Sequence, residues 1–435
     1  MPARFAALIA AFIFTTMLAP SAAFAQGPKP SEGKLDNGLR YIYQQGEGEL
    51  ASACLFIKSG PAYEPSDKSG ISGLLANALL SCYPNGKVCA PVKIEQLGGR
   101  VTARVGEEYT CFVLTAPAKN FQAALKALSD IFETRDLQEG ALSVERLSLL
   151  AERDWRGDVI EEKALRLFLE KSTGGRWRDF YGSEAALSKL ASSDLLAWKR
   201  NFYRPENMYI SMCGKFGPQT AVMMLSESFQ GLKAEGPAVL VQAAAQPTFV
   251  AGRFYQDGSP KESRSAAVIG FQAPPPSSPD YAAMRVVQAL LVDGMGSSIF
   301  RSLRQENQLA YSLGGSMGFA PEGSKIIFYA ISDKSGIDAS VDGFIRSVTA
   351  IKNGSISAED LARAKGRAVG CFDLERETVE DRAWHQGLGG LMGLGPDFSA
   401  STITQLERIG SPDIVRAANK YFEAYSLVVL RPGRD

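Results

Sequence analysis

Histidine is nearly missing from this chain of 435 residues, which contains only His385. Imidazole is the commonest side-chain ligand of metals such as zinc in proteins. A single histidine excludes every metal site that takes two histidines from the same chain. Chemistry that needs such a pair has to come from another polypeptide.

The chain also lacks a charge bias. It has 47 Lys and Arg residues against 47 Asp and Glu residues, so its formal net charge is zero. No run of like charges forms a tail, and nothing suggests the basic surface of a nucleic-acid-binding protein. With 45% hydrophobic and 22% charged residues, the chain has the composition of a globular protein large enough for two cores.

Long apolar segments are missing as well, apart from one short run at the start. Arg4 precedes apolar residues 5–18, and Ala23-Phe24-Ala25 then fits the small-residue pattern of a cleavage site. The run is too short for a spanning helix. The sequence predicts a bacterial secretory signal over residues 1–25, cleaved after Ala25. The mature chain is then expected in the periplasm or outside the cell, with no membrane span.

Cysteines are few, and export would permit disulfides among them. Cys82 and Cys89 flank a Pro-Asn-Gly turn, which makes a local bridge between them plausible. Cys54 and Cys111 lie in strand-like runs. The sequence alone leaves open whether these two are buried thiols or form a cross-strand bridge.

The chain divides into two similar halves around a linker at residues 233–247, where Gly236 and Pro237 lead into an Ala- and Gln-rich stretch ending at Pro247. Residues 33–232 and 248–435 each run through strands, an apolar helix, further strands, long helices and a closing helix–strand pair. This order predicts an α+β protein with two copies of one unit. Each unit is expected to be a mainly antiparallel sheet with helices packed on one face.

One apolar helix, residues 70–82 (GISGLLANALLSC), has the spacing of a metal-binding motif but not its residues. In the inverted zinc-peptidase motif H-x-x-E-H, two histidines hold zinc and the glutamate activates water. Those three positions are Gly73, Ala76 and Asn77 here. Glycine and alanine offer no ligand atom, and asparagine is a poor zinc ligand.

Four segments, taken in order, resemble the pitrilysin/insulinase family of zinc peptidases. They are LDNGLR at 35–40, the stretch from Lys58 to Ile71, FYRPENM at 202–208 and DGMGSSIFRSLRQENQLAY at 293–311. The resemblance extends over about residues 33 to 433. It identifies the helix at 70–82 as the counterpart of the family's zinc helix, with each working position replaced.

The resemblance also implies roles for acidic residues further along the chain. The family's third zinc ligand is a glutamate about 75 residues after the helix, and its position matches Glu152. Glu145 lies two helical turns before it. Without the two histidines, we expect Glu145 and Glu152 to lie on a solvated helix face, and we expect no cofactor in this chain.

A second implied pair is still present. Arg304 and Tyr311 match the arginine and tyrosine with which the family's second domain binds the substrate backbone at the zinc site. Some members of the family are split between a zinc-bearing chain and a related chain that supplies this pair. The sequence therefore suggests a non-catalytic subunit that docks with a zinc-bearing paralogue and acts on peptides.

Two other functions stay open. One is a catalytically inactive peptide-binding or scaffold protein of the same fold. The other is a serine hydrolase, because Gly314–Gly318 fits G-x-S-x-G around Ser316, and Asp333 and His385 follow in the order of α/β-hydrolases. The glycine-rich stretch 387–395 is predicted to break a helix, since it lacks the lysine and the preceding strand of a phosphate loop.

Overall fold

The computed structural model describes residues 29–82, 89–175, 177, 179, 181–234, 236, 249–258, 262–320 and 324–433. The predicted signal segment, residues 1–25, and most of the predicted linker, 233–247, lie outside these ranges. Among the helices described, none is both long enough and apolar enough to cross a membrane.

Six strands of the first half form one sheet in the order β1-β2-β6-β3-β5-β4, in which only β2 and β6 run parallel. The strands are β1 (Ser31–Lys34), β2 (Arg40–Gln45), β3 (Leu50–Ile57), β4 (Arg100–Val105), β5 (Thr110–Pro117) and β6 (Met208–Gly214). The helices are α1 (Ile71–Leu80), α2 (Ala90–Gln96), α3 (Phe121–Ile131), α4 (Glu139–Asp158), α5 (Ile160–Ser172), α6 (Glu184–Leu187), α7 (Ser192–Phe202) and α8 (Pro218–Phe229).

Five strands of the second half form another sheet in the order β7-β11-β8-β10-β9, in which only β7 and β11 run parallel. The strands are β7 (Gly252–Asp257), β8 (Ser265–Gln272), β9 (Ser312–Met317), β10 (Lys325–Ser332) and β11 (Tyr425–Arg431). The helices are α9 (Tyr281–Leu291), α10 (Ser298–Phe300), α11 (Ile337–Lys352), α12 (Ala358–Leu374), α13 (Val379–Leu391), α14 (Phe398–Arg408) and α15 (Ser411–Tyr421).

The two sheets have one topology. When β1 is set aside, the order β2-β6-β3-β5-β4 corresponds strand by strand to β7-β11-β8-β10-β9. In both sheets the closing strand of the half enters the middle, parallel to the first strand and antiparallel to the second. The predicted α+β fold with two copies of a mainly antiparallel unit is thereby confirmed.

The central strands are buried on both faces. Every residue of β6 is buried, as is every residue of β3 after Leu50. In β8 the first seven residues are buried. A strand that faces water on one side alternates apolar and polar residues, whereas a strand covered on both sides is apolar throughout. Helices must therefore lie on both faces of each sheet.

The second face of each sheet is covered by a helix from the opposite half. From the second half, α13 packs Ala383 and Leu388 against Phe56 and its neighbours on the first sheet. From the first half, α5 packs Phe168 against Val428 and its neighbours on the second sheet. The sequence predicts helices on one face of each sheet, and each half does supply helices to one face of its own sheet. The prediction does not include the helix from the opposite half that covers the other face.

Glycines allow α13 to lie close to the first sheet. A Cβ atom on Gly387 would lie 2.4 Å from Cε2 of Phe56, and one on Gly390 would lie 2.2 Å from Cζ of Tyr209. The prediction of a helix break over residues 387–395 is therefore wrong for the first glycines, through which α13 continues. The chain leaves the helix only afterwards, where Gly393 has a φ of 75° in the left-handed region.

We expect Gly390→Ala to lower the free energy of unfolding by about 1–3 kcal/mol, because the added methyl group overpacks the contact with Tyr209. Gly389→Ala is the matched control, since its Cβ would meet only Leu394 at 3.9 Å in the same helix. The control is expected to be neutral, or more stable by up to about 1 kcal/mol from helix propensity. Urea unfolding of the two variants measures the difference. Equal effects would contradict the close approach.

Candidate functional site

The start of α1 is held by a buried carboxylate. Glu64 accepts hydrogen bonds from the backbone N–H groups of Gly70, at 2.7 Å, and Ser72, at 3.0 Å. The first N–H groups of a helix have no partner within it and carry partial positive charge, so an anion stabilises them. Gly70 turns the chain into the helix with a φ of 91°. Sequence reasoning missed Glu64, because no helix-capping pattern places an acid six residues before the first turn.

The metal-motif positions of α1 have no zinc-binding side chains. Gly73 and Ala76 are buried, and Ala76 belongs to the apolar core of the first half. Asn77 is partly buried, and its carbonyl oxygen accepts a hydrogen bond from Ser81 Oγ at 2.9 Å. The helix lies where the resemblance places it, as an ordinary core element.

The two acidic residues lie on α4, which packs against α1. Glu145 accepts a hydrogen bond from Ser81 Oγ, just after the end of α1. Glu152 is exposed, and its Oε1 accepts hydrogen bonds from Arg156 Nε at 3.2 Å and Tyr181 Oη at 2.9 Å. Burial and the Glu152 carboxylate both raise the pKa of Tyr181. Side-chain donors of this chain thus form hydrogen bonds with the carboxylates of both Glu145 and Glu152.

These residues do not fit a zinc ion. A zinc site needs three or four ligands from thiolates, imidazoles and carboxylates. Gly73 and Ala76 offer none. Glu152, at the position of the family's third ligand, forms an ion pair with Arg156. In the part of the chain that the structure describes, no group of three or more His, Cys, Asp or Glu side chains could hold a metal.

Arg304 and Tyr311 flank an irregular turn in the second half. The sequence predicts a regular helix over residues 296–308, but α10 ends at Phe300 and continues as a π-helix over Arg301–Glu306. Within the described ranges, Gln308 is the sole non-glycine residue with a positive φ, 52°. π-Helical turns and left-handed non-glycine residues are costly and concentrate at functional sites.

The turn brings Arg304 and Tyr311 together. Nη1 of Arg304 donates to the carbonyl oxygens of Ala310 and Tyr311, both at 2.6 Å. A guanidinium has five N–H donors, so this contact leaves three. Those on Nε and Nη2 make no hydrogen bond to the described residues, and neither does the hydroxyl of Tyr311. The tyrosine is 58% exposed, with the guanidinium of Arg264 over its ring, 5.7 Å from the centroid.

The serine-hydrolase arrangement lacks the geometry it needs. Ser316 lies inside β9, opposite Ile327 of β10, rather than in a sharp turn from strand to helix. Asp333 accepts hydrogen bonds from Ser335 Oγ and the backbone N–H of Gly336 at the start of α11, at 2.9 and 2.7 Å. The carboxylate thus serves a helix end, which does not support a triad with His385.

His385 lies on α13. Burial and the positive charge of Arg376 lower its pKa from the ordinary 6.5 to about 4. The imidazole is therefore neutral at physiological pH. Its place on the helix that joins the halves makes it a packing residue.

The cysteines take two forms. Cys82 and Cys89 are joined by a disulfide with Cα atoms 5.8 Å apart, directly after α1. Cys54 and Cys111 are free and buried beneath α13, so the structure contains the thiols and not the cross-strand bridge. Burial raises the pKa of the Cys111 thiol well above its ordinary value. A buried protonated thiol is a poor nucleophile.

Comparison with known families matches both halves. The model described as "Insulinase (Peptidase family M16)" matches residues 41–171, and the one described as "Peptidase M16 inactive domain" matches residues 189–367. A solved protease from Helicobacter pylori superimposes with a TM-score of 0.84 at 19% identity, covering 93% of this chain and 100% of that one.

Three relatives extend the comparison. An uncharacterized zinc protease of Rickettsia felis is 22% identical over 400 residues, which are 90% of this chain and 94% of the relative. The mitochondrial-processing peptidase subunit beta of Dictyostelium discoideum is 21% identical over 270 residues, 61% of this chain and 57% of the relative. Subunit 1 of the bovine (Bos taurus) cytochrome b-c1 complex is 22% identical over 290 residues, 65% and 60% of the two chains.

The duplicated fold, with α1 at the place of the zinc helix, is that of a metallopeptidase-like protein. The chain belongs to the pitrilysin/insulinase family, peptidase family M16. The predicted resemblance is confirmed.

The neutral His385 predicts a specific dependence of stability on pH. Its folded pKa, about 4, lies below its ordinary value of 6.5, so the unfolded chain binds the extra proton in that window. Stability is full above pH 6.5 and is lost as the pH falls towards 4, by about 3 kcal/mol for this group.

Urea unfolding at pH 7, 5.5 and 4.5 tests this expectation against the variant His385→Gln. Carboxylates contribute equally to both proteins, so the difference between the two pH profiles isolates the imidazole. Parallel profiles would show that His385 titrates normally in the folded chain.

Proposed function

We propose that this protein is an exported, non-catalytic subunit of a heteromeric zinc peptidase. In this proposal, Arg304 and Tyr311 bind the substrate backbone in the zinc site of a paralogous partner chain. One observation carries it: a costly π-helical turn holds an exposed Arg304 and Tyr311 side by side. The chain's own zinc-motif positions, by contrast, lack ligands.

The chemistry of the pair suits a peptide carbonyl. One of the remaining N–H donors of Arg304 and the hydroxyl of Tyr311 can donate together to one carbonyl oxygen, which has two lone pairs. Donors aimed at that oxygen oppose the negative charge that develops as the carbonyl becomes tetrahedral. The partner's zinc would supply the activated water. This chain would orient the substrate and stabilise the charge.

The relatives support a subunit role. The processing peptidase relative is, by its name, one subunit of a peptidase, and the cytochrome relative is one subunit of a larger complex. A chain without its own ligands, in a family with such subunits, is expected to work in an assembly. Export to the periplasm or outside the cell, from the segment at residues 1–25, belongs to the same proposal.

The alternative is a scaffold or peptide-binding protein without any catalytic contribution. The cytochrome relative favours it, because that protein is named for the cytochrome b-c1 complex and not for proteolysis. The retained pair favours the peptidase subunit, since a scaffold has no need of Arg304 and Tyr311. The two functions differ in whether the pair affects turnover in an assembled complex.

Co-expression with an exported paralogue that carries H-x-x-E-H, followed by a peptide-cleavage assay, tests the proposal. Arg304→Ala with Tyr311→Phe is expected to lower kcat/KM by about 10²-fold or more, the usual effect of lost oxyanion donors. Arg346→Ala with Tyr255→Phe is the matched control, because both residues are exposed in the same half. Full activity of the first variant in an intact complex would refute the role of the pair and favour the scaffold.

Metal content gives an independent prediction. The isolated chain, dialysed against micromolar zinc, is expected to retain no stoichiometric metal, because Gly73, Ala76 and Asn77 offer no adequate ligand set. The assembled complex is expected to hold one zinc per pair of chains. Plasma emission spectrometry measures both. One tightly bound zinc per isolated chain would contradict the proposed division of labour.

A further inference from the structure

A cavity of about 440 Å³ opens on the first half, between the end of α3, the second half of α7 and the segment after α8. Its inner wall is apolar. Phe132, Tyr203 and Leu232 are buried there, and Leu196 is partly buried. The volume lies in the range of cavities that hold small molecules or a side chain of a partner. The proposed peptidase role does not use this cavity.

The charged residues of the cavity are all positive. Arg135, Lys199, Arg200 and Lys233 line it, and no carboxylate of the described residues does. Of the acidic side chains on neighbouring elements, Asp194 of α7 binds Lys68 at 2.7 Å, and Glu133, just after α3, lies 3.9 Å from Lys126. In a chain of zero net charge, this grouping is a local excess.

Helix-end electrostatics account for only part of the excess. The last turn of a helix carries partial negative charge and favours cations. Lys199 fits that role, because its Nζ donates to the carbonyl oxygen of Thr134, at 2.9 Å, just beyond α3. Arg135, Arg200 and Lys233 are exposed, and among the described residues none of the three makes a hydrogen bond or ion pair. Three cations thus surround an apolar cavity without a counter-charge from the described residues.

We propose that this cavity binds a carboxylate carried on a bulky apolar group. A guanidinium pairs with a carboxylate through two parallel hydrogen bonds, and two arginines flank the cavity. The buried Phe132 and Leu232 supply the apolar contact for the body of the ligand. Two sources share this chemistry: the C-terminal residue of a peptide and a free aromatic acid.

The experiment titrates the full mature chain with N-acetylphenylalanine, its amide, and a pentapeptide ending in phenylalanine with a free carboxylate. Isothermal calorimetry in low salt is the readout. The acid is expected to bind about tenfold or more tightly than the amide, because only the acid forms the charged pair. A pentapeptide that binds about tenfold more tightly than the free acid identifies a peptide end, and equal affinities identify a small acid.

Arg135→Ala with Arg200→Ala is expected to weaken binding of the acid by about tenfold or more. Arg346→Ala with Lys334→Ala removes the same charge from exposed positions of the second half and is expected to leave binding unchanged. Both pairs are exposed, and thermal melts check that each variant is folded. Equal binding of acid and amide, equal effects of the two variants, or no binding of any probe at millimolar concentration would overturn the proposal.

Discussion

The reciprocal contact between each sheet and a helix of the other half is the constraint on which the rest of the structure depends. β3, β6, β8 and β11 are apolar on both faces, and exposing one face would leave a large hydrophobic surface in water. Helix α13 covers the open face of the first sheet, and α5 covers the open face of the second. These two contacts join the halves into one packed structure. The glycines of α13 serve its contact with the first sheet.

The sequence predicted the duplicated fold well. Strand-like runs and long amphipathic helices identified most elements, and the matching closing segments indicated the repeat. The helical pattern over residues 357–386 predicts one helix, but the structure has two, because Thr378 caps α13 by accepting a hydrogen bond from the N–H of Asp381. A cap of this kind involves residues close in sequence and can be predicted from the sequence. The packing of α5 and α13 on the sheets of the opposite halves could not be predicted, since the apolar pattern of a helix does not specify which sheet it covers.

For the candidate site, the sequence predicted which residues are involved but not the backbone conformation that positions them. Resemblance to the family supplied Arg304, Tyr311 and the emptied positions of α1. The π-helical turn and the left-handed Gln308 could not be predicted, because glutamine favours ordinary helix and the seven-residue interval looks regular. The same holds for Glu64, whose carboxylate reaches the start of α1 through a loop. Backbone irregularities of this kind depend on tertiary contacts that propensities do not record.

The packing of Ala76 limits how a zinc motif could be built into α1. This side chain is completely buried in the core of the first half, at the position that the resemblance matches to the activating glutamate of the zinc motif. A glutamate placed there would bury an ionised group without a metal beside it and would also overfill a packed site. Only a simultaneous change of the two flanking motif positions to histidine would give that glutamate a metal to work with. The packed core therefore prevents a zinc site from being built into α1 one substitution at a time.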